Sequence, residues 1–130
     1  MSIELMQLVL SGLPPSANNM YRTGRNGNRY KRSEVSEWQD GTAAAIREAW
    51  GNGEAYTGQV EVRIVFTVKG NRRWDIDNRL KALLDCLELG GVIADDSQIW
   101  GIQALRVSGY EDTTSIEMRG YTGQSEKSSE

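Results

Sequence analysis

The chain has 130 residues, 38% of them hydrophobic and 25% charged, with a formal net charge of −3; this is the size and balance of one globular domain with its own core, and it excludes a disordered chain. Histidine is absent and Cys86 is the single cysteine, which excludes histidine-based triads and acid–base catalysis, histidine or thiolate zinc sites, and internal disulfides, and fits a reducing cytoplasm. No apolar run is long enough for a membrane span, and the N-terminus has neither a basic n-region nor a small-residue cleavage site, so neither a membrane partner nor secretion is expected.

In chain order, residues 3–11 (IELMQLVLS) read as a strand ending at Gly12, and Leu13-Pro14-Pro15-Ser16 forces an extended or turning path. Residues 16–33 are polar, rich in Gly and Asn, and read as a long mobile loop. A helix is expected from Ser33 to about Trp50, with Val35, Trp38, Ala45, Ile46 and Ala49 facing inward and Gly51-Asn52-Gly53 ending it. Val60–Lys69 (VEVRIVFTVK) alternates and is β-branched, so it is a strand. A second helix runs from about Asn78 to Leu89 and stops at Gly90-Gly91. Residues 99–107 and 113–121 are two further strands joined by a turn through Ser108–Asp112, and the tail from 122 to 130 lacks apolar residues and is expected to be disordered. The order β-α-β-α-β-β predicts an α+β, mixed α/β domain over residues 1–121, with one mixed sheet packed against two helices.

Charge is unevenly spread. Arg22, Arg25, Arg29, Lys31 and Arg32 gather between residues 21 and 32 without an acid, and Lys69, Arg72 and Arg73 form a second basic group. Local fields of this kind, rather than net charge, decide where a polyanion docks. Tyr21 and Tyr30, interleaved with the first group, could stack on bases or lie along sugars.

The acids that matter follow the second basic group. Asp75 and Asp77 flank Ile76; if the three residues are extended, both carboxylates lie on one side and repel unless a cation or proton sits between them. With no histidine and one cysteine, a hard divalent cation such as Mg²⁺ or Mn²⁺ is the metal such a site would take. Asp77 is also a good N-cap for the helix that follows. Within that helix, Leu80, Leu83, Leu84 and Leu87 form a core stripe, while Asp77, Lys81 and Asp85 fall on another face. Lys81 could reach a phosphate, or simply form an i, i+4 pair with Asp77. Either aspartate of Asp95-Asp96 could serve a polar turn or point back at the first pair, and periodicity does not choose between them.

Three stretches, PPSANNMY at 14–21, RRWDIDNRLK at 72–81 and ADDSQI at 94–99, resemble the RusA family of Holliday junction resolvases, and the likeness runs from the first strand to the last. It departs from the family pattern before Asp75, where the arginine run is only Arg72-Arg73 and is broken by Trp74. The resemblance implies a homodimeric, Mg²⁺-dependent endonuclease, with Mn²⁺ as a substitute, that cuts four-way DNA symmetrically and needs no small-molecule cofactor. It implies that Asp75, Asp77 and Asp96 hold the metal and that Lys81 is the essential lysine. Ser16, Ala17, Asn18 and Asn19 would line the DNA, as would Asn71, Arg72, Arg73, Trp74 and Asn78. Tyr21, Arg22, Arg25 and Arg29 join them on the charge clustering above. The rival readings are a binder of branched DNA that does not cut, a metal nuclease for other branched or single-stranded nucleic acid, RNA included, and a small protein with a structural cation site and no nucleic-acid role.

Overall fold

Strict alternation along VEVRIVFTVK sends Val60, Val62, Ile64, Phe66 and Val68 to one face, where all are buried, and makes this strand the spine of the molecule. The structure, a computed structural model, describes residues 3–16, 21–23, 29–31, 33–51 and 53–123. The elements are β1 (Glu4–Ser11), β2 (Tyr21–Thr23), β3 (Arg29–Lys31), α1 (Ser33–Trp50), β4 (Val60–Lys69), α2 (Asp77–Leu89), a 3-10 turn (Asp96–Gln98), β5 (Ile99–Gly109) and β6 (Thr113–Gly120).

The main sheet has the order β1-β6-β4-β5. β4 and β5 pair in parallel, with α2 in the crossover between them, while β6 runs antiparallel to both β1 and β4. This is the α+β, mixed-sheet fold expected from the element order. The core lies on one face of the sheet, where Met6, Ile116 and Met118 join the β4 residues against Ile46 of α1 and Leu83, Cys86 and Leu87 of α2. Each Ile, Leu or Phe fully buried there contributes roughly 1.5–3 kcal/mol. Glu61, Arg63 and Glu117 alternate onto the opposite face, as suits a sheet with one solvated side.

Several expectations are corrected. The long loop between residues 16 and 33 contains a short antiparallel hairpin, with Tyr21 opposite Lys31, Arg22 opposite Tyr30 and Thr23 opposite Arg29; Tyr and Thr favour strands, and the intervening polar residues were the stronger signal in the sequence. β5 and β6 are consecutive but not neighbours, because β4 lies between them. The inward face of α1 is Val35, Gln39, Thr42, Ala43 and Ile46, and Ala49 is exposed. Gln39 is buried because its Nε2 donates to the Ala82 carbonyl at 2.9 Å, which ties α1 to α2. The buried stripe of α2 is Ala82, Leu83, Cys86 and Leu87, so Leu80 and Leu84 sit at the margin of the core, half-buried.

α2 stops where expected. Gly90 donates its N–H to the Cys86 carbonyl at 2.8 Å, and a Cβ there would come within 3.0 Å of both the Ala43 oxygen and Ile46 Cγ2. Gly91 then takes φ +77, the left-handed conformation that glycine adopts without strain. The chain leaves α2 turned back toward the start of β5. Of the tail expected to be disordered, residues 124–130 lie outside the described residues.

Candidate active site

The first turn of α2 begins at Asp77, one residue earlier than expected, and Ile76 in the cap position has helical φ −63, ψ −48 and no side-chain cap bond. Two sequence expectations change with it. Asp77 is not the N-cap, and Asp75-Ile76-Asp77 is not extended, so alternation does not align the two carboxylates. Asp77 instead stands in the first turn, where the helix dipole favours a negative charge. Asp75 is exposed just ahead of the helix, with Asn78 Nδ2 3.4 Å from its Oδ2.

Asp77, Lys81, Asp85 and Asp96 line one groove of about 400 Å³. Its apolar lining is Leu80, Leu84, Ile99 and Ile102, so the leucines displaced from the core stripe become part of the site. Lys81 is well exposed and pairs with Asp85 at 3.6 Å, not with Asp77. The i, i+4 spacing permits either partner.

The Asp95-Asp96 pair is divided by local geometry. Asp95 is extended and caps the 3-10 turn, its Oδ2 accepting the Ser97 N–H at 2.9 Å. The hydrogen bonds from Ser97 hold the Asp95 carboxyl below its ordinary value. Gln98 closes the box by accepting from the N–H groups of Ala94 and Asp95, and its Nε2 donates to the carbonyls of Tyr56 and Gly58 at 2.7 and 2.9 Å. With Asp95 committed to the cap, Asp96 is the member that lines the groove. Among the described residues, the side chains of Asp77 and Asp96 accept no hydrogen bond.

One tight carboxylate cluster is present among the described residues, and it is not the expected trio. Glu88, Asp95 and Asp96 each offer an oxygen within 4.8 Å of the others, and the Asp96 N–H donates to Glu88 Oε2 at 3.1 Å. Asp75 and Asp77 are not part of it. Glu88 was missed in the sequence, though it leaves a trace: it is an acid in the last turn of a helix that has no base there, where the dipole disfavours it. All the donors are oxygens, the set a hard divalent cation prefers. The chemistry of the predicted ligands Asp75, Asp77 and Asp96 therefore fits Mg²⁺ or Mn²⁺, and Asp77 and Asp96 already share the groove.

The residues expected on DNA divide in three. Ala17, Asn18, Asn19 and Arg25 lie outside the described residues, as does Arg32 of the basic cluster, while the backbones of Tyr21, Arg22 and Arg29 form the hairpin. Asn71, Arg72 and Arg73 are exposed, and Ser16 and Asn78 half-buried. Trp74 is a correction: only 8% exposed, it packs edge-on against Phe66 with ring centres 4.7 Å apart, so its side chain belongs to the core. The large apolar ring wins against its polar setting in sequence because Phe66 lies at the neighbouring end of β4.

Three residues that sequence reasoning missed brace this approach. Asp112 accepts from Arg72 Nη2 at 2.7 Å and from the Lys69 N–H at 2.8 Å, and these bonds lower its pKa, the Arg72 bond most. Arg106 donates to the carbonyls of Trp74 and Arg72 at 3.3 and 2.7 Å. Arg79 donates to the Pro14 carbonyl at 2.8 Å; burial and then Arg72 lower its pKa, while Asp75 opposes them. Each pairing spans more than 30 residues, so no local pattern announces it.

A family model described as Endodeoxyribonuclease RusA matches residues 12–119. The crossover junction endodeoxyribonuclease RusA of Aquifex aeolicus is 32% identical over 104 residues, 80% of this chain and 82% of that protein. The protein of the same name from Escherichia coli K12 is 36% identical over 87 residues, covering 66% and 70% of the two chains. A third relative of that name, from enterobacteria phage HK97, is 32% identical over 95 residues, 72% and 76% of the two. With a family match spanning β6 at one end and the residue before Leu13 at the other, and a groove built from the matching acidic segments, the chain belongs to the RusA endodeoxyribonuclease family.

Proposed function

We propose that the chain is a divalent-cation-dependent endonuclease, using Mg²⁺ or Mn²⁺, that resolves four-way DNA junctions by paired symmetric cleavage as a homodimer. The observation that carries this reading is the meeting of Asp77, Lys81 and Asp96 in one groove of a chain from this family. Asp75, Asp77 and Asp96 are the residues that would hold the cation. When bound, such a cation makes a coordinated water acidic enough to attack a phosphodiester and offsets charge on the phosphoryl oxygens.

Lys81 has three donors on a flexible stem and stands one helical turn from Asp77, so it can hold a non-bridging phosphate oxygen or meet the leaving oxygen. Asp85 holds its ammonium at 3.6 Å on the same groove. The segment from Ser16 to Arg29, with Asn71, Arg73 and Asn78, would follow the DNA backbone. A four-way junction offers two equivalent strands, and a two-fold dimer brings one site to each. A DNA substrate and a single cysteine go with the cytoplasm; no helix among the described residues is long and apolar enough to cross a membrane.

The test is a labelled four-way junction incubated with Mg²⁺ at low salt, where phosphate contacts are strongest, with the parent chain beside Asp77→Asn. Paired symmetric nicks from the parent alone support the reading. A mobility shift without nicks from either protein reduces it to a binder of branched DNA. Thermal stabilisation by Mg²⁺ with no DNA binding would mean a structural cation.

A further inference from the structure

Arg79 has no part in the chemistry just proposed, yet it joins more of the site's surroundings than any residue in it. It stands in the first turn of α2, with its backbone N–H on the Ile76 carbonyl at 3.0 Å. Its Nη1 donates to the carbonyl of Pro14, 65 residues earlier in the chain. Its guanidinium carbon lies 5.0 Å from the centre of the Trp74 ring. Its Nε is buried with no hydrogen-bond partner among the described residues.

That last feature is informative. A buried donor left without an acceptor is destabilising, and an apolar side chain of similar length would cover Trp74 without that penalty. What an apolar side chain cannot do is grip the Pro14 carbonyl. Pro14 is buried and is followed by a second proline, so its two ring-fixed φ angles transmit the direction of that carbonyl to the segment beginning at Ser16. On the other side, Trp74 is held by Phe66 against its ring and by Arg106 on its carbonyl, and Trp74 is covalently next to Asp75. Arg79 therefore touches both Pro14, two residues before Ser16, and Trp74, the residue before the first carboxylate.

We propose that Arg79 is a positioning residue: by joining the Pro14 carbonyl, the Trp74 ring and the first turn of α2, it fixes the chain at residues 14–16 relative to the carboxylates at 75 and 77. Its role in cutting rests on the endonuclease reading above; its role as a strut does not.

The experiment compares Arg79→Met, which keeps the cover over Trp74, with Arg79→Lys, which keeps a donor for Pro14. Amide hydrogen exchange is measured on the protein alone, and single-turnover cleavage of a four-way junction is followed across a Mg²⁺ titration. For Arg79→Met, residues 12–16 and 73–78 lose protection while β4 keeps its own. Cleavage falls about 10- to 100-fold and the Mg²⁺ requirement rises, the size expected when an outer support of a metal site is removed. Arg79→Lys recovers a large part of both effects. Parent-like exchange in both variants would overturn the proposal, as would protection lost across β4 with cleavage falling only in step with the unfolded fraction. If the parent cuts no junction, the endonuclease reading falls and exchange alone decides: protection lost only in the two segments upholds the strut, and parent-like exchange removes it.

Discussion

Residues 94–98 carry a capping box of their own. Asp95 caps the turn and Gln98 closes the box, and the Gln98 amide then ties the turn to the carbonyls of Tyr56 and Gly58, 42 and 40 residues earlier in the chain. Residues 72–78 are held from outside: Arg106 of β5 grips two of their carbonyls, Asp112 pairs with Arg72, and Arg79 carries the connection on to Pro14. The groove thus has one wall that shapes its own turn and is anchored to one distant segment, and one without a capping box that is held by several distant parts of the chain. The capped wall is set chiefly by Asp95 and Gln98. The dependent wall can be loosened from β5, from the β5–β6 connection or from Pro14, and so is the more sensitive of the two to changes elsewhere in the fold.

The largest effect that sharpens this contrast is expected within the capped wall. Asp96→Asn removes a charge from the groove and leaves the cap intact, since the cap is made by the side chains of Asp95 and Gln98. Junction cleavage should fall on the order of 1000-fold, the equivalent of several kcal/mol of charge stabilisation, with the melting temperature unchanged. Asp95→Asn should do the reverse, lowering stability slightly and sparing most cleavage. Equal losses from the two variants would show that the cap and the groove are not separable.

Next in size is Lys81→Met, which keeps the length of the stem and removes the charge. Single-turnover cleavage should drop about 100-fold, within the range for a positioned proton donor, while junction binding in Ca²⁺ is nearly kept. Binding lost in proportion to cleavage would make Lys81 a phosphate contact and nothing more.

Gln98→Ala comes third and acts on structure. Four hydrogen bonds end on this side chain, two of them exposed and two part-buried, and their loss should cost about 1 kcal/mol of stability in thermal or urea unfolding. Because the turn no longer fixes Asp96, more Mg²⁺ should be needed for half-maximal cleavage. A stable variant with an unchanged Mg²⁺ requirement would show that the wall does not depend on its own capping box.

The same division explains what could be read from the sequence. β4 and the two helices are written in local periodicity, and their limits in the structure differ by no more than a residue. The polar turn at Asp95-Asp96 was legible because capping chemistry is local, although which aspartate does the capping needed the backbone angles of Asp95. The burial of Gln39 leaves no local signal, because its partner is the Ala82 carbonyl on another helix. The adjacency of β4 and β6 was hidden for a similar reason, since strand order is decided by the crossover rather than by either strand. Arg79, Arg106 and Asp112 were unmarked, as their partners lie 32 to 65 residues away. Trp74 was misread because its sequence neighbours are charged while its neighbour in space is Phe66.

The smallest expected effect probes the outermost brace of the dependent wall. The hydrogen bond from Arg72, and then that from the Lys69 N–H, hold the Asp112 carboxyl below its ordinary value of 3.8. A carboxylate whose folded pKa is depressed contributes stability above its unfolded pKa and loses it as pH falls through the folded one. The parent should therefore be more stable than Asp112→Asn by a constant small margin from neutral pH down to about pH 4. Below that the margin should shrink, and it should vanish once Asp112 is protonated in both states. Salt should reduce it at neutral pH, because Arg72 and Asp112 are partly exposed. A margin that persists in strong acid would mean that Asp112 acts through its shape and its Lys69 contact rather than its charge, and that Arg72 stays free to meet DNA.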